Sequence, residues 1–238
     1  METERNLLER LDEDPESIET VIIGGGQAGL STGYYLAEQG RSFVILDSHE
    51  RVGDAWRKRW DSLLLFTPAR FNGLPGMPFP AARDKFVNKD EMADYLEAYA
   101  QRMELPVRGG MTVDRLSQQG DRFLVSAGGW RLVADNVIVA MSNCQVPWVP
   151  PFATDLDPGI AQLHSKEYKS PSQLHGGPVL IVGAGNSGAD IAIGGRQEPP
   201  DMDGRQGVRP HTVPDRAVVR AERPHQHRAF RGASRPER

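Results

Sequence analysis

A glycine triplet decides most of what this chain can become. Gly24, Gly26 and Gly29 follow the β-branched run Glu19-Thr-Val-Ile-Ile23 and lead into a helix predicted over 30–39. Leu30, Tyr34 and Ala37 give that helix its apolar face, and Gly40 stops it. A second strand, Ser42-Phe-Val-Ile-Leu-Asp47, follows at once, so 19–47 reads as one βαβ unit. In such a unit Gly24 makes the tight turn, Gly26 lets the backbone approach a pyrophosphate, and Gly29 allows close packing of helix on strand. The free N–H groups at the helix start then face phosphate. Asp47 lies 23 residues after Gly24, where a carboxylate takes ribose hydroxyls. A bare glycine triplet also suits a structural turn; strand, helix, strand and acid in this order point to a dinucleotide.

The pattern then restarts. Pro178-Val-Leu-Ile-Val182 reads as a strand, Gly183, Gly185 and Gly188 as a second glycine turn, and 188–193 as the first turns of a helix. Two dinucleotide sites in one chain imply two cofactors that exchange electrons, typically a tightly held flavin and a diffusible nicotinamide. Nothing after Ile193 reads as the strand whose terminal acid or Arg would choose NAD or NADP.

Between the motifs, residues 61–88 are rich in Pro, Gly and aromatics and predict an ordered, irregular excursion over a binding site. Met92, Tyr95, Leu96, Tyr99 and Met103 give 89–104 a helical core face. Strands at Arg122–Ser126 and Trp130–Val133 flank the Gly128-Gly129 turn as a hairpin, and Asp135–Ala140 reads as a buried strand ahead of a Pro-rich connector at 146–151. The fold expected is α/β: a three-layer, Rossmann-like domain on a parallel sheet, with a hairpin insertion and the start of a second Rossmann-like nicotinamide domain. Its parts are a flexible N-terminus (1–18), a first dinucleotide domain (19–148), a partial second one (149–193) and an Arg/Pro/Gly-rich tail (194–238).

Composition removes other classes. The one cysteine, Cys144, forms no internal disulfide or dithiol redox pair, and the six His are too scattered for a metal site. No nucleophile-elbow motif accompanies a Ser-His-Asp set, and no catalytic residue is assigned. The charged first fourteen residues contain no apolar h-region, and no apolar run reaches membrane-spanning length. A cytoplasmic protein without a membrane partner is expected. The net charge of −4 hides an asymmetry: 196–238 carry 10 Arg against 6 acids, and from 194 onward there is neither Leu nor Ile. Such a tail cannot bury enough apolar surface to order itself. It reads as a nucleic-acid arm, a natural extension, or the product of a frame change near 194. Diluted charge and missing aromatic interleaving disfavour nucleic acid; a helix abandoned in mid-element favours the frame change.

The motifs as a set resemble the flavin-containing monooxygenase family, in the branch of bacterial oxidoreductases similar to plant indole-pyruvate monooxygenases. The set is Gly24-Gly-Gly-Gln-Ala-Gly29, Asp47, Arg51-Val-Gly-Asp-Ala-Trp56, Trp60-Asp-Ser-Leu63, Leu74-Pro-Gly-Met-Pro-Phe-Pro80, His164-Ser-Lys-Glu-Tyr168 and Gly183-Ala-Gly-Asn-Ser-Gly188. The resemblance covers 19–193. It implies FAD held by Gly24, Gly26, Gln27, Ala28, Gly29, Asp47, Ser48, Arg51, Gly53, Trp56 and Val113. It implies NADPH held by Gly183, Gly185, Asn186, Ser187 and Gly188. The implied reaction uses dioxygen, through a C4a-hydroperoxyflavin, to oxygenate a small organic substrate. Two other readings share the motifs: a flavin-dependent reductase without oxygenation, and a truncated or frameshifted fragment that binds FAD at most. Several departures stand out. Gly159 is five residues before His164 instead of four, and Ala140-Met-Ser142 replaces an Ala-Thr-Gly turn. The Asn that animal members place on the flavin's reactive side has no obvious counterpart near Leu65-Phe-Thr-Pro68. Members are also longer, with a C-terminal return segment completing the FAD domain.

Overall fold

The structure is a computed structural model that describes residues 14–142, 145–174 and 177–194. Cys144 and the tail beyond 194 lie outside the described residues, as does any expectation that falls on them. The chain divides into two units, Met1–His175 and Gly176–Arg238.

The first unit is mixed α/β, as expected, around one six-stranded sheet. Strands β1 (Glu16–Ile23), β2 (Phe43–Leu46), β5 (Val107–Arg108) and β8 (Trp130–Val139) are parallel, and β6 (Val113–Gln119) and β7 (Arg122–Ala127) continue the sheet antiparallel, in the order β5-β2-β1-β8-β7-β6. β1 is thus central, paired with β2 and β8. Its two faces pack against separate apolar clusters, which is why Thr20-Val-Ile-Ile23 is buried throughout without alternation. Ile22 and Ile45 face a core completed by helices α1 (Gln27–Glu38) and α3 (Lys89–Arg102) through Leu30, Met92, Leu96 and Tyr99. Val21, Ile23, Val44 and Leu46 face the other way, onto Val125, Leu132 and Ala134. Asn88 starts α3 with a capping box: its Oδ1 accepts the N–H groups of Asp90 and Glu91, and Glu91 returns the bond to Asn88 N–H.

The structure departs from the sequence reading at five places. β1 begins at Glu16, inside the stretch expected to be flexible, because Glu16, Ser17 and Ile18 pair with Leu132, Val133 and Ala134. The exposed polar end of a strand carries no apolar signal, so its partner, not its own composition, orders it. Ala37 is exposed; Leu30 and Gly33 bury the face of α1 instead. The second hairpin arm and the buried strand are one element, β8, while β5 and β6 went unforeseen. The excursion at 61–88 contains a small sheet of β3 (Leu64–Pro68) with β4 (Phe86–Asn88). Finally, Pro178–Val182 forms no strand: among the described residues nothing pairs with it, and Val179, Leu180 and Val182 are exposed. Local β propensity cannot hold an extended segment whose backbone groups lack a neighbour.

In the second unit, α4 (Asn186–Gly194) follows the second glycine turn. No helix among the described residues is long and apolar enough to cross a membrane.

Candidate functional site

The first glycine turn is built by contacts that exclude side chains. Gly24 adopts φ 113°, and its N–H donates to Leu46 O at 2.7 Å. A Cβ there would meet Ala140 C and Met141 N at 2.9 Å. The Ala140-Met-Ser142 segment therefore packs closely although it lacks the family's glycine; the room comes from Gly24. At Gly29 a Cβ would sit 1.9 Å from Gly24 O, whereas at Gly26 it would meet nothing within 4 Å. The two outer glycines serve the fold, and the middle one faces open space. Gly26 caps α1 without any side-chain bond, so the first-turn N–H groups at exposed Gln27 and Ala28 present the positive end of a twelve-residue helix.

The turn and the acid come together. Asp47 Oδ2 accepts the Gly25 N–H at 2.6 Å, and Oδ1 accepts the His49 N–H at 2.8 Å. The Asp47 backbone is fixed as well, its N–H donating to Arg108 O at 3.0 Å and its carbonyl accepting from Met111 N at 2.8 Å. Ser48 beside it is exposed, and Val113, at the head of β6, is half-buried against the second core.

The Arg51–Trp56 stretch closes the other side of the α1 start. Gly53 sits at φ 90° with its would-be Cβ 2.5 Å from Ala93 O, so only glycine lets the short helix α2 (Asp54–Arg57) lie on α3. That contact brings Trp56 to α1, where its Nε1 donates to Gln27 Oε1 at 3.2 Å. Arg51 goes elsewhere: its guanidinium forks onto Glu97 of α3 with two bonds of 2.6 Å. Arg57, mostly buried, adds bonds to Asp94 and Glu97. The two guanidiniums hold the Glu97 carboxyl below the ordinary carboxylate range, Arg51 foremost through its hydrogen bond.

Gln27 and Trp56 open onto a cleft of about 410 Å³, otherwise lined by Leu63–Thr67, Phe71–Leu74 and Met92. Its walls are largely apolar. The polar exception is a couple in which Asn72 Nδ2 donates to Thr67 O at 3.0 Å and Thr67 Oγ1 donates to Asn72 Oδ1. The wall beyond Asn72 is tied to α3. Tyr95 Oη accepts Leu74 N–H and donates to Met77 O, both at 2.6 Å, and Tyr99 Oη donates to Pro75 O at 2.8 Å. Burial pushes the Tyr99 phenol up to about 12, with smaller contributions from neighbouring tyrosines. Tyr95 moves the same way, again through burial. In the His164–Tyr168 motif, Tyr168 is buried and His164 O accepts the N–H groups of Glu167 and Tyr168 in a tight turn. That turn is anchored nearby by Asp61 N–H donating to Lys169 O at 2.8 Å.

The second turn repeats the local geometry of the first. Gly183 has φ 108°, and a Cβ on Gly188 would lie 2.1 Å from Gly183 O. Gly185 is open, and Asn186 and Ser187 begin α4. No group of His, Cys, Asp and Glu among the described residues could hold a metal. The structure thus gathers Gly24, Gly26, Gln27, Ala28, Gly29, Asp47 and Trp56 around one helix start, while Arg51 turns toward α3. The sequence reading missed His49 and the cleft walls at Phe71 and Asn72, and it named Leu65-Phe-Thr-Pro68 only through the family resemblance. The Pro/Gly/aromatic composition of 61–88 located those walls without resolving which residues form them.

A mostly parallel sheet carrying a strand–glycine turn–helix start, an acid at the next strand end and an apolar cleft beside both defines an α/β protein of the Rossmann type. Residues 21–198 match the family described as pyridine nucleotide-disulphide oxidoreductase, and the chain belongs to it. It is 46% identical over 176 residues to a CzcO-like oxidoreductase of Geobacillus kaustophilus, an alignment covering 74% of this chain and 51% of that protein. It is 34% identical over 187 residues to indole-3-pyruvate monooxygenase YUCCA1 of Oryza sativa, covering 73% and 44%. Among solved structures, the flavin-containing monooxygenase of Stenotrophomonas maltophilia superposes with a TM-score of 0.68 at 41% identity, over 73% of this chain and 53% of that one. A bacillithiol disulfide reductase of Staphylococcus aureus shares the fold, with a TM-score of 0.63 at 18% identity. The resemblance to flavin-containing monooxygenases and to the plant enzymes is borne out. The chain spans about half the length of the curated relatives it matches.

Proposed function

We propose that this chain carries the FAD-binding part of an NADPH-dependent flavin monooxygenase that oxygenates a small organic substrate with dioxygen. The observation that carries the reading is the assembly at the start of α1, where an open Gly26, free helix N–H groups and the Asp47 carboxylate within reach of Gly25 fit a pyrophosphate and a ribose. FAD supplies hydride acceptance from NADPH and the activation of dioxygen. The chain's own residues bind and orient it. Gly24, Gly26, Gln27, Ala28 and Gly29 take the pyrophosphate, Asp47 takes the ribose, and Ser48 and Val113 flank the adenosine end. Gly53 sets Trp56 beside the cleft, whose apolar walls exclude water from a flat ring. Arg51 enters this reading as support for the Gly53 turn through Glu97.

The domain plan of the reading is an FAD-binding part over 19–148 and a nicotinamide part starting within 149–193. There Gly183, Gly185, Asn186, Ser187 and Gly188 would cradle the NADPH pyrophosphate. A cytoplasmic setting belongs to the same proposal. The 178–182 segment, unpaired among the described residues and exposed at Val179, Leu180 and Val182, favours a second reading for these 238 residues taken alone: they hold FAD but accept hydride from NADPH slowly. The visible spectrum of the purified chain tests the first reading, since a bound flavin absorbs and an empty protein does not. Stopped-flow mixing with NADPH tests the second, and rapid flavin reduction would reject it. NADPH consumption with and without candidate substrates separates oxygenase from reductase.

A further inference from the structure

We infer that His49 is a positioning residue of the dinucleotide site, a side chain that competes with the sugar for Asp47 and makes FAD affinity depend on pH; the inference rests on the FAD reading above. His49 Nδ1 lies 3.0 Å from Asp47 Oδ1. A carboxylate oxygen only accepts, so Nδ1 carries the proton in this contact. Oδ1 therefore receives two bonds from one residue, the His49 backbone N–H at 2.8 Å and the ring. Oδ2 receives the Gly25 N–H at 2.6 Å. A carboxylate offers about four acceptor positions, so three are taken and one remains. A ribose presents two adjacent hydroxyls. For both to bond Asp47, the ring must leave Oδ1, while the two backbone donors stay because the turn itself fixes them.

The ease of that displacement depends on charge. A neutral imidazole gives up an ordinary hydrogen bond; an imidazolium gives up a charge-assisted one, about twice as strong. Imidazole changes charge near pH 6.5. The two arginines nearest this contact are already paired. Arg108, whose carbonyl holds Asp47 N–H, pairs with Glu16. Arg51 pairs with Glu97. Glu50 packs on Gly110, whose N–H donates to His49 O at 2.9 Å. The 109–112 segment, whose Gly109 and Gly110 meet the His49 carbonyl, contributes no titratable side chain. Protonation of an imidazole in this contact turns its bond to the Asp47 carboxylate into a charge-assisted one.

The test is a fluorescence titration of the whole chain with FAD at pH 5.5, 6.5, 7.5 and 8.5, repeated with H49A and H49Q and with FMN as a probe lacking adenosine. For the unaltered chain the FAD affinity is expected to rise roughly threefold to tenfold across this range, the size of one charge-assisted bond. Both variants should show flat profiles, and FMN should show no His49-dependent slope. Thermal melts identify a variant that has failed to fold, and H49Q retains a neutral polar side chain in that case. Equal slopes in all three proteins, a slope shared by FMN, or tighter binding at pH 5.5 would overturn the role of His49 while leaving the FAD reading intact. A chain that binds no FAD at any pH would remove the FAD reading, and this inference with it.

Discussion

The two glycine turns are near copies in local geometry and opposites in surroundings. At Gly24 and Gly183 φ is 113° and 108°, and the missing Cβ atoms of Gly29 and Gly188 would strike the carbonyls of Gly24 and Gly183 at 1.9 and 2.1 Å. Each third glycine also meets a strand-side isoleucine, Ile22 at 3.4 Å and Ile181 at 3.5 Å. Yet a Cβ on Gly24 would collide with Ala140 and Met141, and one on Gly183 would meet nothing within 4 Å. The run before the first turn is wholly buried; Leu180, before the second, is 79% exposed. The turn itself is therefore written in about six residues. The sheet that fixes it and shapes a pocket has to come from elsewhere in the chain.

The comparison can be broken at several points. The largest effect should come from Gly29→Ala, which drives a methyl into backbone and should destabilise the first unit by roughly 4 kcal/mol. Gly188→Ala faces the same local clash but should leave the main thermal transition unchanged, because that transition reports the packed sheet; equal losses in calorimetry would mean the second turn is as firmly integrated as the first. Ile22→Ala should cost about 3 kcal/mol, as for a fully buried branched side chain, while Leu180→Ser should stay within about 0.5 kcal/mol. Urea denaturation compares the two directly. Asp47→Ala should weaken FAD binding by about 2 kcal/mol, the value of a charge-assisted contact, and unchanged affinity would detach Asp47 from the site.

Another effect is in alkali. Tyr99 holds its proton up to about 12 when folded and to an ordinary 10 when unfolded, so its contribution is complete below pH 10 and is lost as pH rises toward 12. Tyr99→Phe should flatten that limb of the stability profile, and an unaltered limb would place the alkaline loss at another group.

What the sequence made legible followed the range of each signal. β1, α1, β2 and α3 were readable because periodicity and glycine stops act within one or two turns of chain. The core face of α3 through Met92, Tyr95 and Tyr99 was readable for the same reason. The two-residue strand β5 exists only because Ile45 and Leu46 offer it an edge, and the first three residues of β1 only because Leu132–Ala134 lie alongside. In the candidate site, Gly24, Gly26, Gly29 and Asp47 were named from spacing. His49 was not, since its meeting with Asp47 depends on a bend that no periodicity records. Arg51 was placed beside a cofactor by its motif, and only the packing of α2 on α3 revealed Glu97 as its partner.

The central position of β1 also sets a timetable. Its first neighbour, β2, follows within one helix, but its other neighbour begins at Trp130, so Glu16 waits for Leu132. On a ribosome adding about 5 to 20 residues per second, that wait is on the order of 5 to 20 s. Until β8 is made, the apolar run from Val21 to Ile23 has one unpaired edge, and parallel pairings across such separations form slowly. Recovery of this protein in the cell should therefore respond to growth temperature and to chaperones that shield nascent strands, independently of how stable the finished sheet is.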